Sequence, residues 1–150
     1  MRSDYPNSLG LAKENWIDVF KNITNNIPSL YNVIFGSVQG TKRNIENQRM
    51  FDFIPGYRLI QIDELIQEKI VIDPILKKEN QDNLVLPLLT NDSSDFICFV
   101  EKLNGEQHIC TLLNDDGELV LMHQSPIKFF ETLNEFCKQN VYFLDKENFP

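Results

Sequence analysis

Apolar residues recur along this chain at two different spacings, and the change from one to the other marks its organisation. Trp16, Val19, Phe20 and Ile23 follow three- and four-residue steps, the stripe of an amphipathic helix over 11–24. Asn25-Asn26 interrupts that stripe. Pro28 suits the first turn of a second helix reaching Phe35, with Leu30, Tyr31 and Ile34 facing inward. Gly36 and Gly40 close it, and 41–48 reads as a polar, basic loop. A Pro55-Gly56 turn then feeds a short strand from Tyr57. Asp63 is placed to cap a third helix carrying Leu65, Ile66 and Ile70, which Asp73-Pro74 ends before a solvated linker over 77–83.

From Leu84 the pattern turns to strands. Leu84-Val-Leu-Pro-Leu-Leu is one, and its Pro87 predicts an edge position or a bulge. Phe96-Ile-Cys-Phe-Val follows an acidic turn. Asn104-Gly105, read as a two-residue turn, pairs 96–103 with 106–113, and Asn114-Asp-Asp-Gly117 returns the chain through 118–123. Ser125 caps a long last helix with Pro126 at its first position. Ile127, Phe130, Leu133 and Cys137 form its stripe, with Phe129 at the stripe's edge and assigned to the core. The stretch 141–145 reads as extended again, and residues 1–10 as a loose arm. These elements predict one α+β domain over 1–150: an antiparallel or mixed meander sheet packed with N-terminal, middle and C-terminal helices.

At 150 residues with eleven Phe, the chain can bury roughly 70% of its unfolded surface. No apolar run approaches the roughly 20 residues of a membrane helix, and Met1-Arg2-Ser3-Asp4-Tyr5-Pro6 lacks a signal peptide's apolar region. A cytoplasmic protein with no membrane contact is expected.

Charge is unevenly placed. Residues 1–60 carry seven Lys/Arg against five Asp/Glu, whereas 61–150 carry seven against seventeen, within a net charge of −8. An acidic second half repels phosphate backbones, so direct nucleic-acid binding is not expected, while a basic protein is attracted. Lys42-Arg43 with Arg49 is the one basic cluster, and it reads as a solvated loop.

Candidate chemistry is sparse. Cys98, Cys110 and Cys137 show no metal-ligand spacing. The two-residue turn sets Cys98 opposite Thr111 and Cys110 opposite Phe99, on opposite sheet faces, where they cannot bond. The same turn opposes Glu101 to His108, which reads as a surface pair before an acid–base pair. His108 and Cys110 are assigned to opposite faces, so no metal shared with His123 is expected. Ser93, Ser94 and Ser125 lack a nucleophile-elbow context, and no phosphate-cradling Gly motif occurs. The chain reads as a binder without a catalytic residue, metal or cofactor.

The order of motifs adds to this. Pro28-Ser-Leu-Tyr31 leads to Gly40-Thr41, followed by Ile54-Pro-Gly-Tyr-Arg-Leu59. Leu86-Pro87-Leu88 then leads to Asp92 and Asp95-Phe96, and Ser125-x-x-x-Phe129-Phe130 precedes Val141-Tyr-Phe-Leu-Asp145. Over about 15–145 this series resembles the SUKH superfamily, the Smi/Knr-like proteins. The resemblance implies a non-enzymatic α+β domain. Bacterial members look largely like immunity proteins that neutralise polymorphic toxins, often nucleases; fungal members resemble scaffolds in cell-wall signalling. The expectation is therefore a protein that binds one basic toxin domain, with a regulatory scaffold for a housekeeping partner as the alternative. Asp92, Asp95, Glu101, Asp115, Asp116 and Glu118 are the expected partner-binding residues. They bracket both ends of the meander, so one patch cannot use them all.

Overall fold

The computed structural model describes residues 5–44, 52–93, 95–139 and 141. Its centre is a five-stranded sheet, β3 (Arg58–Leu59), β4 (Leu84–Thr90), β5 (Phe96–Glu101), β6 (Gln107–Leu112) and β7 (Leu119–His123), in that spatial order and antiparallel throughout. A two-stranded sheet pairs β1 (Leu9–Leu11) with β2 (Val38–Thr41). Four helices complete an α+β architecture: α1 (Trp16–Lys21), α2 (Ser29–Phe35), α3 (Leu65–Ile72) and α4 (Pro126–Lys138). None of the described helices is long and apolar enough to cross a membrane.

The sheet carries a core on each face. Phe20, Tyr31 and Phe35 from α1 and α2, with Phe129 from α4, pack against Leu86, Ile97, Phe99 and Ile109. On the opposite face Ile72 of α3 and Leu76 cover Val85, Phe96, Cys98, Val100, Cys110 and Leu112. Two covered faces explain why β5 is a continuous apolar run without polar alternation.

Pro87 sits where β4 bulges, its ladder with β5 slipping between Pro87 and Leu89. The extra residue lets Leu86 and Leu89, three apart, both join the first core. Buried Tyr31 closes the disturbed ladder, its hydroxyl lying 3.1 Å from the Leu86 carbonyl and 2.9 Å from that of Pro87. Tyr31→Phe leaves these carbonyls without the hydroxyl donor. It is expected to cost about 1–2 kcal/mol in urea unfolding, and no change would show that the bulge does not need it.

Several sequence expectations need correction. The stretch read as a loose arm is built in from Tyr5 onward: a 3-10 turn spans Tyr5–Ser8, Tyr5 is buried, and β1 pairs with β2. The first helix accordingly starts at Trp16 rather than at 11, because Leu9 and Leu11 alternate about Gly10 as strand residues; Leu11 lies 89% exposed. Asp63 does not cap α3. Glu64 precedes that helix without a side-chain cap bond, and Asp63 pairs with Lys13 instead. In α4 the buried face is one step round from the predicted stripe: Ile127 is 71% exposed while Phe129 is buried. Ser125 does cap it, its Oγ accepting from the Lys128 N–H at 3.5 Å. Apart from Val141, the predicted last strand lies outside the described residues, as does Arg49.

The β5–β6 register is also one residue off. Lys102 N–H donates to the Glu106 carbonyl at 2.9 Å, leaving three residues, 103–105, in the loop, with Gly105 at φ 83°. An Asn-Gly pair serves this loop as readily as a two-residue one, since both need a residue at positive φ. The shift places Cys98 opposite Cys110, Val100 opposite His108 and Glu101 opposite Gln107. Cys98 and Cys110 therefore share a sheet face. His108 and Cys110 share it in any register, because residues two apart on one strand point to the same side, which corrects their expected opposite placement.

Candidate partner-binding surface

In a meander, alternate turns fall at the same end of the sheet. The β4–β5 turn over 91–95 and the β6–β7 turn over 113–118 are such a pair, and they touch. Asp95 accepts from the Asn114 N–H at 3.3 Å and from the Asn91 side-chain amide at 3.0 Å. Asn91 in turn accepts from the Ser93 and Asp95 N–H groups at 2.8 and 3.1 Å, an Asx-type closure that holds the first turn. In the second turn Asp116 accepts from the Glu118 N–H at 3.0 Å, and Gly117 takes φ 65° with its α-carbon against the Ile75 carbonyl. Asp115, Asp116 and Glu118 are exposed, and Glu118 lies 3.3 Å from Lys77.

Glu101 does not belong to this group. It ends β5, six residues from Asp95, about 20 Å along an antiparallel strand. Its carboxylate accepts from the Gln107 amide at 2.7 Å. The His108 ring instead approaches Glu106 at 3.6 Å, too far for a hydrogen bond, and neither ring nitrogen has a hydrogen-bond partner among the described residues.

Asp92 sits in the acidic turn but is not a free acid. Arg58, only 3% exposed, directs Nε and Nη2 to its carboxylate at 2.9 and 2.7 Å, and Arg43 adds a contact at 2.8 Å. The same Arg58 holds Glu64 at 2.8 and 3.1 Å, while Glu64 also accepts from the Gln61 N–H. Hydrogen bonding from Arg58 is the chief cause that holds the Asp92 carboxyl below its ordinary range, partly opposed by burial and aided by Arg43. Nearby Glu68 is shifted the other way, by burial and then by the Glu64 charge. Asp92 also occupies φ 61°, a conformation that Asp tolerates better than most side chains. Arg43, read from the sequence as part of a solvated basic loop, instead pairs with Asp92, and Arg58 and Glu64 were given no electrostatic role. The available signal was Arg58 inside the apolar run of Tyr57 and Leu59, since a cation placed there requires a carboxylate partner.

The other end of the sheet carries a different surface. An open groove of about 770 Å³ lies between α2 and α4, floored by Leu30, Val33, Ile34, Pro126, Ile127 and Phe130. Val33 and Ile127 stand 70% and 71% exposed. Gln107 and Glu131 stand among its polar lining. Among the described residues no group of three or more His, Cys, Asp or Glu side chains is arranged to hold a metal ion.

A scan against protein-family models finds no match to this chain, and a search of curated proteins finds none similar to it.

Proposed function

We propose that this chain is a non-enzymatic, immunity-type protein of the SUKH kind that binds and neutralises a basic toxin domain. One observation carries the reading: Asp95, Asp115, Asp116 and Glu118 converge at one end of the sheet, on turns fixed by their own hydrogen bonds. Exposed carboxylates of one sign attract a basic surface before contact, raising the association rate more than the lifetime of the complex. Asp115 and Asp116 are foremost, since Asp95 is half-buried and Glu118 lies 3.3 Å from Lys77. Asp92 contributes little here because two arginines neutralise it, and Glu101 faces away at the far end.

The reading expects a basic toxin domain to be encoded beside this gene, and binding kinetics with that domain is the test. Asp115→Lys with Asp116→Lys is expected to slow association about tenfold at low salt while dissociation changes little. Raising salt should remove most of that difference, since exposed charges are screened within about 10 Å at 0.1 M. Thermal stability should fall only slightly, by about 1 kcal/mol or less, because Asp116→Lys loses its exposed turn bond from the Glu118 N–H while the charges themselves contribute little to folding. A salt-independent association rate in both proteins would refute the acidic end as the docking surface.

A scaffold is the second reading, and the groove favours it. An apolar surface at the opposite end from the acidic turns suits a protein that holds a second partner at the same time. Val33→Asp with Ile127→Asp should abolish such binding and leave toxin association intact. Equal losses in both would instead favour a single extended interface.

A further inference from the structure

We propose that Cys98 and Cys110 form a peroxide-responsive dithiol that closes to a disulfide across the centre of the sheet. The inference stands apart from the proposed function, because it rests only on the strand register. Cys98 and Cys110 are direct cross-strand partners on β5 and β6, and both are free thiols. Counting by twos from the Lys102–Glu106 hydrogen bond places them at a hydrogen-bonded position of the ladder. There the α-carbons stand about 5.5 Å apart, inside the 4.4–6.8 Å range that disulfides span. Partners at one register position point to one face, and both side chains line the core beneath α3. A bridge needs the β-carbons to close to about 3.8 Å from the roughly 5.5 Å usual at a hydrogen-bonded position, a local pinch of two strands.

Their environments divide the roles. Cys98 is fully buried, and burial pushes its thiol far above the ordinary range, with the neighbouring Cys110 adding to the shift. Cys110 is 6% exposed and is raised by burial as well, with Lys102 opposing. Cys110 is thus the thiol that meets an oxidant, and Cys98 the one that resolves it. In the first step the Cys110 thiolate attacks hydrogen peroxide, whose O–O bond breaks to give Cys110 sulfenic acid and hydroxide, which takes up the proton lost by Cys110. In the second, Cys98 sulfur attacks the Cys110 sulfenic sulfur. The S–S bond forms, the S–O bond breaks, and the Cys98 proton leaves with the hydroxyl as water. Overall two thiols and one peroxide give one disulfide and two waters, the sulfurs being oxidised and the peroxide oxygens reduced. A small oxidant fits the site, because a bulky disulfide reagent cannot reach a sulfur this buried. High thiol pKa values make the response slow, that of a protein under sustained oxidation and not of a rapid sensor.

The test treats the full chain with hydrogen peroxide under native conditions and follows all three cysteines by non-reducing digestion and mass spectrometry. Cys137 lies on α4, across the sheet from the pair, and serves as the internal clock. The expected product is a monomer two hydrogens lighter, with Cys98 linked to Cys110 before Cys137 oxidation is complete. Its thermal midpoint should rise by several degrees and fall back on reduction, because the bridge restricts the unfolded chain. Cys98→Ser should divert Cys110 to sulfinic acid, the fate of an unresolved sulfenic acid. The same treatment in denaturant supplies the pairing pattern of a chain without the register. Exhaustion of Cys137 with both thiols still alkylatable would overturn the proposal, as would a native pairing pattern no different from the denatured one.

Discussion

Arg58→Met lowers the free energy of unfolding by about 3 kcal/mol, the expected loss when one partner of a buried ion cluster is removed and the other charges stay. Arg58 is nearly sealed from water and satisfies two carboxylates at once, Glu64 through Nη1 and Nη2 and Asp92 through Nε and Nη2. Methionine fills much of the space but supplies no donor. Glu64 and Asp92 side chains are 24% and 50% exposed, so water recovers part of their loss, which sets the value at the low end of the range for such breaks. Asp92→Asn placed on Arg58→Met should restore part of the stability by removing a charge left facing only the half-exposed Arg43. Urea unfolding of the two single variants and the double variant measures this directly. A loss below about 1 kcal/mol would place Arg58 among surface pairs of little consequence.

The same cluster sets a pH dependence with a defined sign. Asp92 titrates below its ordinary value in the folded protein, so its ionised form is favoured by folding. That contribution is complete above the ordinary Asp value of about 3.9 and disappears as pH falls through the lower folded value. Arg58→Met removes the chief cause of the shift. Stability of the variant should therefore fall less steeply than wild type as pH drops below about 4.

Gly40→Ala should cost still more, about 3–5 kcal/mol, from backbone strain and overpacking combined. Gly40 lies in β2 at φ 111°, where a side chain is strained whatever space surrounds it. Space is also lacking. An added Cβ would fall 2.2 Å from the Ile60 carbonyl oxygen and 2.7 Å from the Gln61 α-carbon, both backbone atoms that cannot rotate away. The contact is where the small sheet docks on the large one. On either side of Gly40, Gln39 accepts from the Ile62 N–H at 2.9 Å, and Thr41 Oγ1 accepts from the Leu59 N–H at 3.1 Å while bonding buried Tyr5 at 2.7 Å. Moving the strand to admit a methyl would break these bonds together. Gly56→Ala is the control, since Gly56 also has positive φ, 80°, but nothing lies within 4 Å of the added atom. Circular-dichroism melting should show a drop of about 10 °C or more for Gly40→Ala and much less for Gly56→Ala. Equal drops would mean that dihedral strain alone matters and that the close approach does not.

Local chemistry made a large part of this fold legible in the sequence. Ser125-Pro126 starts α4 because a hydroxyl cap and a fixed proline φ act within one turn of chain. The four strands from Leu84 to His123 follow from apolar runs and turn residues a few positions apart, and Pro87 announces its bulge because it lacks an N–H. The acidic turns were visible for the same reason. What depends on partners far along the chain was not visible. Tyr5 and Leu9 read as an arm because Thr41, which bonds the Tyr5 hydroxyl and pairs with Leu9, stands more than thirty residues away. Asp92 read as one acid among six because Arg58, thirty-four residues before it, is what neutralises it. A single residue in the 103–105 loop moved Cys98 from opposite Thr111 to opposite Cys110, and period-two geometry carries such a slip through the whole hairpin. Sequence alone determined the helices and the four strands from Leu84 onward, since those choices are settled by sterics and hydrogen bonding over a few residues. β1 and β2, by contrast, form only by pairing with each other across about thirty residues. Only tertiary structure decided which charges remain free and which thiols meet, because long-range pairing is a choice among nearly equal local alternatives that packing alone resolves.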